Sequence, residues 1–402
     1  MAQKKNINVG LIGYKFMGKA HSSALTKIGM FFDSAADINK KVICGRDAEW
    51  VSQSAEKFGW SEYETSWEKL VRRPDIDMID ITAPSNAHKE IALAAAGEGK
   101  HIFCEKPLAL NLADAREMYE SAQKNKIKHQ IGFNYRFAPA VLLAKKLIDS
   151  GKIGKVFHVR ANFLQDWIID PEFPLVWRLD KKVCGSGSLG DLGAHFIDMA
   201  RFLVGEFSTV MGMSKTFVKS RPLSESMTGL SGKAVEIDVR TNKAGEAAPR
   251  ADVEVDDGTV FIAEFKNGAL GVFEATRFAQ GHKNDMSIEI NGELGSVKFV
   301  FERMNELHYY SAADEPGLQG FRLIQASEAI HPYMHAWWPV GHVIGYEHTF
   351  VHELYEFTEA IANDAPLNPI CPDFSDGVKC SQIIEAVDLS CERKALVEVD
   401  SL

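Results

Sequence analysis

Asp191 and His195 are the pair in this sequence best suited to acid–base chemistry. They lie four positions apart in residues 190–204, which predict a helix closed by Gly205, so both side chains share one face. An imidazole has an ordinary pKa near ~6.5, which suits proton exchange at neutral pH, and a neighbouring carboxylate can orient it. The spacing alone fits a hydrogen bond on a helix surface at least as well, and by itself it favours that structural interpretation.

Lys106 is a third candidate, within Glu105-Lys106-Pro107 at the end of a short apolar segment. Ligands of α/β proteins bind at the carboxyl ends of parallel strands, which is where this segment predicts the lysine to lie. An ammonium group there stabilises negative charge that develops on a reacting oxygen. The structural alternative is a surface lysine at a strand end.

A glycine-bounded loop, GYKFMG at residues 13–18, follows the first apolar run. It resembles the dinucleotide fingerprint G-x-G-x-x-G, with Gly13 and Gly18 in the first and third places and Lys15 in the second. The following helix still offers free N–H groups and a positive dipole end, and Lys15 can add a contact to a phosphate. An ordinary glycine turn is the alternative interpretation.

The end of the second predicted strand, residues 41–44, bears on the choice of dinucleotide. Arg46 follows it, where an adenosine 2′-phosphate would lie, and Asp47 is either a ribose ligand or a helix cap. Asp33 has the spacing of a ribose ligand, but it falls in a stretch, 29–41, that we interpret as an inserted loop. NAD and NADP therefore both remain open on these residues.

The elements around these residues predict two domains. Over 1–133, short apolar strands alternate with helices, which is typical of βαβ units and a parallel sheet, here a Rossmann domain that binds NAD(P). Residues 134–402 predict an α+β domain for substrate binding and oligomerisation. Its open sheet is mainly antiparallel, with a hairpin at Asn267-Gly268 and closing helices over 341–363 and 378–389. The polar stretch 219–250 predicts a long excursion.

Composition excludes several classes of protein. The 402 residues are 46% hydrophobic and 25% charged, which is ordinary for globular domains, and the net charge is −10. An acidic chain without a long apolar run argues against nucleic-acid and membrane partners. Six scattered cysteines without a Cys-x-x-Cys pair indicate reduced thiols and a cytoplasmic location.

Several motifs together resemble the Gfo/Idh/MocA family of oxidoreductases, which includes glucose–fructose oxidoreductase and inositol dehydrogenase. They occur in the family's order, and they are MGKAH at 17–21, PSNAH at 84–88, CEKP at 104–107, NYR at 134–136 and GSLGDLGAHFID at 187–198. Lys15 is a departure from the family's loop. Further stretches resemble its levoglucosan dehydrogenase branch, namely LQDW at 164–167, PLVWR at 174–178, EATR at 274–277 and HPY at 331–333.

The resemblance implies NAD(P)-dependent oxidation of a ring hydroxyl on a sugar or cyclitol. It makes Lys106, Asp191 and His195 the expected catalytic set, with Asp198 structural. The expected cofactor-binding residues are Gly13, Lys15, Phe16, Met17, Gly18, Arg46, Pro84, Asn86, His88, Glu105, Lys106 and Pro107. The expected substrate-binding residues are Lys106, Asn134, Tyr135, Arg136, Gln165, Trp167, Trp177, Arg178, Asp191 and His195. For both tryptophans, plain core packing is an equal alternative.

We expect NAD in use with NADP tolerated, and an unphosphorylated, levoglucosan-like sugar oxidised at a secondary hydroxyl, such as the one at C3. A sugar phosphate would need a denser set of cations than Arg136 and Arg178 supply. A homo-oligomer, dimer or tetramer, is expected. No metal is expected, although five histidines between 331 and 352 include a helical i, i+4 pair. Alternative functions are an NAD-dependent glycoside hydrolase, an inositol dehydrogenase and a non-catalytic nucleotide sensor.

Overall fold

Strands and helices alternate regularly through the first third of the chain. The computed structural model describes residues 4–223 and 249–402. The first elements are β1 (Lys5–Ile12), α1 (Phe16–Phe31), β2 (Ala36–Cys44), α2 (Ala48–Phe58), β3 (Glu62–Glu64), α3 (Trp67–Val71), β4 (Met78–Ile81), α4 (His88–Gly97), β5 (His101–Glu105), α5 (Leu112–Lys124) and β6 (His129–Gly132).

The rest of the described chain is dominated by strands. Its elements are α6 (Pro139–Asp149), β7 (Val156–Leu164), α7 (Lys181–Cys184), α8 (Ala194–Val204), β8 (Phe207–Lys215), β9 (Ser220–Pro222), β10 (Arg250–Asp252), β11 (Gly258–Phe265), β12 (Leu270–Thr276), β13 (Asp285–Gly292), β14 (Gly295–Val300), β15 (Glu306–Ser311), β16 (Arg322–Gln325), α9 (Tyr346–Ala362), α10 (Phe374–Arg393) and β17 (Val397–Glu398).

The first sheet is the parallel sheet that the sequence predicts. Its strand order is β3-β2-β1-β4-β5-β6, and every pair is parallel. The alternating strands and helices require crossover connections, which place the carboxyl ends of all six strands at one edge. Ile7, Val9 and Leu11 of β1 are fully buried, as expected of a central strand covered on both faces. The Rossmann prediction is confirmed.

One predicted boundary in this sheet is wrong. The stretch 29–41 was interpreted as an inserted loop, but β2 begins at Ala36 and its first residues pair with β1 from Lys5 onward. Only Val42, Ile43 and Cys44 pair with β3, so the first half of β2 lies at an open edge. An edge position tolerates polar side chains, and these hid the strand from the hydrophobic pattern.

The second sheet is large and open, as predicted. Its order is β16-β15-β14-β13-β7-β12-β11-β8-β17, and the pairs are antiparallel except for β12 with β7. The hairpin at Asn267-Gly268 is present, with Gly268 at φ +84°. Along β11, buried Phe261, Ala263 and Phe265 alternate with exposed side chains, and helices α6 and α8 pack on this sheet.

Two compact units divide the described chain. The first contains residues 4–134 and 345–381, and the second contains 135–223, 249–344 and 382–402. The predicted boundary after residue 133 matches the first division, but α9 groups with the first unit. The reason is packing on α1 and β2, where Phe32 stacks on Tyr355 at 4.3 Å between ring centroids. Most of the predicted excursion 219–250 lies outside the described residues.

Among the described helices, none combines the length and the apolar character that a bilayer crossing requires.

Asp388 on α10 gives the second unit a measurable dependence on pH. Burial raises the pKa of this carboxyl to about 7, with a further contribution from the negative charge of Asp256 and an opposing one from Lys181. A folded-state pKa above the unfolded one means that unfolding releases a proton between about pH 4 and 7. Stability that the bound proton provides is therefore lost as the pH rises through this window.

We predict that Asp388→Asn melts at a higher temperature than the wild type at pH 8, by a margin larger than at pH 5. Differential scanning fluorimetry at both pH values measures this margin, and Glu264→Gln, at an exposed position on β11, is the control. An equal margin at pH 5 and pH 8 would contradict the assignment.

Candidate active site

The loop between β1 and α1 admits only glycine at two positions. Gly13 has φ +115°, and a Cβ there would lie 2.6 Å from the carbonyl oxygen of Thr82. A Cβ on Gly18 would lie 2.1 Å from the carbonyl oxygen of Gly13. The turn is therefore tight, and it delivers the chain directly into α1, whose first N–H groups lie at the carboxyl edge of the sheet. This arrangement fits a dinucleotide pyrophosphate in spite of Lys15.

Positive charge gathers beside that loop. Lys15 and Arg46 are both exposed, and partial burial followed by the charge of Arg46 lowers the pKa of Lys15. Asp47 accepts a hydrogen bond from the Trp50 N–H at 3.0 Å, so it caps α2, one of its two predicted roles. The ring of Tyr14 covers Gly45, where a Cβ would lie 2.1 Å from two ring carbons.

The turns after β4 and β5 carry further predicted cofactor residues. Pro84 and Asn86 are exposed, Lys106 and Pro107 are half-buried, and Phe16 is 46% exposed beside half-buried Met17.

Two residues predicted to contact the cofactor have other partners in the structure. His88 is buried, with Nδ1 3.0 Å from the Pro107 carbonyl oxygen and Nε2 2.9 Å from that of Ala83. It therefore ties the turn after β4 to the turn that holds Lys106. Glu105 is 6% exposed, and its carboxylate pairs with His21 at 3.0 Å. Both side chains position the edge of the sheet rather than present a polar group to a ligand.

In the second unit, Asp191 and His195 begin the helical segment predicted for them. Asp191 lies in a π-helical turn, Leu189–Gly193, that leads into α8. Its carboxylate accepts a hydrogen bond from Arg277 Nη2 at 2.8 Å, and Arg178 Nε lies 3.6 Å away. Two guanidinium groups thus hold one carboxylate.

His195 is held by aromatic stacking. Its ring lies 4.3 Å from that of Tyr135 at an angle of 15°, and Tyr135 stacks on Phe301 at 3.8 Å on its other side. Burial raises the pKa of Tyr135, so the phenol stays neutral across the physiological range. The imidazole therefore has a fixed plane and is 8% exposed.

The segment before Asp191 is anchored by Asp256. This carboxylate accepts hydrogen bonds from the N–H groups of Gly187 and Leu189, at 2.9 and 3.0 Å, and from the hydroxyls of Ser188 and Thr259. A Cβ on Gly187 would lie 2.0 Å from the Asp256 carbonyl oxygen, so this approach also requires glycine.

A network of neutral polar groups adjoins the acid–base pair. Gln165 accepts a hydrogen bond from Trp167 Nε1 at 2.8 Å and donates one to Asn284 Oδ1 at 2.9 Å. Trp167 faces the Arg277 guanidinium at 5.5 Å from its centroid, and Arg178 stacks on Trp177 at 4.3 Å. Both tryptophans also pack against an apolar cluster around Ile168 and Leu179, so the packing alternative describes part of their role.

Two predicted sugar-facing residues are buried and have hydrogen-bond partners of their own. Arg136 is 4% exposed and donates to Asp198 Oδ2 at 2.7 Å, forming a buried ion pair that leaves Asp198 structural, as expected. Asn134 is 2% exposed and donates to the hydroxyl of Thr349 at 2.8 Å. Their partners lie 62 and 215 positions away, so the motif alone did not reveal them.

Sequence reasoning missed two residues of this site. Arg277 was noted only within a family-like stretch, and Asn284 was not noted. Arg277 directly follows β12 and Asn284 directly precedes β13, and polar residues at such places signal a site only once the sheet order is known.

Comparison with known proteins identifies the family of both parts of the chain. Residues 7–133 match the family model for oxidoreductases with an NAD-binding Rossmann fold, and residues 141–298 match the model for the GFO/IDH/MocA C-terminal domain. The chain belongs to the Gfo/Idh/MocA family of oxidoreductases. It is an oxidoreductase that uses NAD, as the family resemblance implied.

Individual members of the family align along nearly the whole chain. Levoglucosan dehydrogenase of Pseudarthrobacter phenanthrenivorans is 41% identical over 400 residues, covering 99% of both chains. A structure of an oxidoreductase domain protein from Kribbella flavida is 46% identical, with TM-score 0.89, and covers 98% of this chain and 99% of its own. A levoglucosan dehydrogenase structure in complex with NADH and levoglucosan is 40% identical, with TM-score 0.89, and covers 98% of this chain and 100% of its own.

Arg277 generates a prediction because it is fully buried and contacts Asp191 directly. Replacing it with methionine keeps the length of the side chain and removes the hydrogen bond that orients the carboxylate. We expect Arg277→Met to lower turnover by about 10- to 100-fold, the scale associated with small misplacements of a catalytic group.

Steady-state kinetics on the purified variant measure this loss, with exposed Arg303→Met as the matched control. Circular dichroism monitors folding in both variants. Turnover within twofold of the wild type in a folded Arg277→Met protein would show that Asp191 needs no such support.

Proposed function

We propose that the protein is an NAD-dependent dehydrogenase that oxidises a secondary ring hydroxyl of an unphosphorylated, levoglucosan-like sugar or anhydro-sugar. The observation that carries the proposal is the Asp191–His195 segment, braced by Arg277 and adjoined by the Gln165–Asn284 amides. Relatives that match along nearly the whole chain include levoglucosan dehydrogenase, which supports the same substrate class.

Three residues divide the chemistry that the chain itself supplies. His195 takes the proton from the hydroxyl, since an imidazole exchanges protons near neutral pH. Asp191 lies one helical turn before His195 and supports its orientation and positive charge. Lys106 contributes an ammonium that stabilises negative charge on the reacting oxygen. NAD, when bound, supplies the hydride acceptor.

The cofactor contacts that we propose come from three turns of the parallel sheet. The pyrophosphate is held by the loop from Gly13 to Gly18 and the start of α1. The turns after β4 and β5 contribute Pro84, Asn86, Lys106 and Pro107. Arg46 and the absence of a carboxylate at Gly45 allow NADP to be tolerated beside NAD.

The preference for a neutral sugar follows from how the cations of the second unit are used. Arg178 and Arg277 both face the carboxylate of Asp191, which balances one of their two positive charges. A phosphate group would need cations without such a partner. Gln165 and Asn284 instead offer amides, and the two tryptophans offer apolar walls, as a polyol ring requires.

We further propose that residues 1–133 supply most cofactor contacts, that residues 134–402 supply most substrate contacts, and that the enzyme works in the cytoplasm. All six cysteines are free thiols in the structure, as suits a reducing compartment.

The catalytic proposal predicts that His195→Ala and Lys106→Ala each lower turnover by about 10²–10⁴-fold, the scale of a lost acid–base group. The affinity of each variant for the cofactor, measured by the fluorescence of bound NADH, should stay within a few-fold of the wild-type value. Lys57→Ala, at an exposed position, is the control. The substrate class is tested by following NADH formation by the wild type with anhydro-sugars, glucosides, inositols and sugar phosphates. The same assay on Gln165→Ala should give a higher KM for the sugar than the wild type.

Near-normal turnover of His195→Ala would overturn the assignment of the base. A clear preference for a sugar phosphate would overturn the substrate class. Glycoside cleavage without net NADH would favour a hydrolase that retains its cofactor.

The second sheet also supports our proposal of a homo-oligomer. Six apolar side chains on β8, β11 and β12 are 44–73% exposed on one face of this sheet, namely Met211, Met213, Val260, Ile262, Leu270 and Val272. A flat apolar face of this kind is typical of a protein–protein interface. A second copy suits it, because two equal faces related by a twofold axis cover each other.

Introducing positive charge on this apolar face tests whether it mediates self-association. We expect Ile262→Lys/Val272→Lys to reduce the mass measured by light scattering after size-exclusion chromatography to that of a monomer. Met30→Lys, at a position 73% exposed on α1, should leave the wild-type mass unchanged. An oligomer of wild-type mass in the double variant would place the interface elsewhere.

A further inference from the structure

Four ionisable side chains meet in the interior of the first unit, behind strand β5, which directly precedes Lys106. They come from four different elements, and their exposed fractions are 0% for His21 of α1, 0% for Asp80 of β4, 6% for Glu105 of β5 and 0% for Glu353 of α9. The rings of Phe103 and Phe350 lie 5.5 and 5.6 Å from His21, so the surroundings are apolar.

His21 is bracketed by two carboxylates. Its Nδ1 lies 2.9 and 3.0 Å from the two oxygens of Asp80, and its Nε2 lies 3.0 Å from Glu105 Oε1. Ionised carboxylates only accept hydrogen bonds, so both ring nitrogens must carry a hydrogen, and the ring is an imidazolium. The two carboxylates hold the pKa of His21 well above its ordinary value, against the effect of burial. Neither nitrogen then has a lone pair for a metal ion.

Glu353 lies beside this trio without taking part in its hydrogen bonds. One of its oxygens lies within 4.8 Å of ligand atoms of His21 and Glu105. Among the described residues, neither carboxyl oxygen of Glu353 has a hydrogen-bond partner. The helix is fixed at this point, because Gln130 Nε2 donates to the main-chain oxygen of Glu353 at 3.2 Å.

The balance of charge decides the state of Glu353. Three ionised carboxylates with one imidazolium would leave two net negative charges in a site closed to water, which is very costly. Asp80 and Glu105 are paired with the imidazolium, whereas Glu353 is not. Burial raises the pKa of Glu353 well above its ordinary value, and the charges of Glu105 and Asp80 act in the same direction, opposed by that of His21.

We propose that Glu353 is a positioning residue that holds a proton, and that this neutral acid lets Glu105 stay in place behind Lys106. Glu105 Oε2 accepts a hydrogen bond from the Lys106 N–H at 3.3 Å. Its other oxygen occupies the space where a Cβ on Gly132 would lie, 2.7 Å away. An ionised Glu353 would repel Glu105 from this position and release the backbone that carries Lys106.

The link to turnover rests on the proposed catalytic role of Lys106, whereas the protonation of Glu353 does not. The test therefore needs readouts with sugar and readouts without it. Glu353→Gln retains the shape and the neutral state of the protonated acid, whereas Glu353→Ala leaves a cavity beside Glu105.

Without sugar, the infrared difference spectrum of the wild type minus Glu353→Gln at pH 7 should show the carbonyl stretch of a buried protonated carboxyl, because the contribution of Asp388 is common to both proteins. Because the folded-state pKa is raised, the bound proton's stabilisation is lost as the pH increases. The melting temperature of the wild type should therefore fall relative to that of Glu353→Gln between pH 5 and pH 9. Elemental analysis of the purified wild type should find no stoichiometric divalent metal.

With sugar, Glu353→Ala should lower kcat at least tenfold with little change in KM, and Glu353→Gln should restore kcat to within about threefold of the wild type. Absence of the carboxyl band overturns the proposal, as does a stoichiometric metal that Glu353→Gln loses. Equal loss of kcat in both variants overturns the positioning role. An inactive wild type on every sugar, with the band present, would instead count against the proposed function alone.

Discussion

The placement of the proposed acid–base pair, Asp191 and His195, depends on a carboxylate to which we assign no chemical step. The Asp256 carboxylate accepts hydrogen bonds from the N–H groups of Gly187 and Leu189, together with the hydroxyls of Ser188 and Thr259. These bonds join the loop before β11 to the start of the segment that carries Asp191 and His195. Because Gly187 leaves no space for a side chain, the contact has one geometry, and the position of the helix follows from the sheet.

Three buried charged groups of the described chain are each neutralised by a partner of opposite charge. Arg136 pairs with Asp198, Arg277 with Asp191, and His21 with two acids. A buried charge left without its partner would destabilise the fold by more than the intact pair stabilises it. Each pair therefore fixes the geometry of the elements that carry it. Most of the polar residues near the site thus act as supports, and few are left to meet a ligand.

The sequence predicted what local pattern and motif determine. The glycine turn at Gly13 and the Asn267-Gly268 hairpin each depend on neighbours a few positions away. The buried polar residues that hold the site in place were not predictable from local pattern. Arg136 and Glu353 belong to pairs and clusters assembled from distant segments, and the edge strand β2 begins with polar residues that a periodicity argument discards. Family resemblance supplied the catalytic set, which spacing alone left open between a surface hydrogen bond and catalysis.

The ring of Tyr14 over Gly45 has a consequence for how this family member can evolve. Rossmann enzymes commonly select NAD through an acidic side chain near this strand end. Here any such side chain at position 45 would meet the tyrosine ring. A side chain at position 45 therefore requires the Tyr14 ring to move, so stricter NAD selection in this chain involves both positions. The choice of cofactor is thus tied to an aromatic residue as well as to the residue at the strand end.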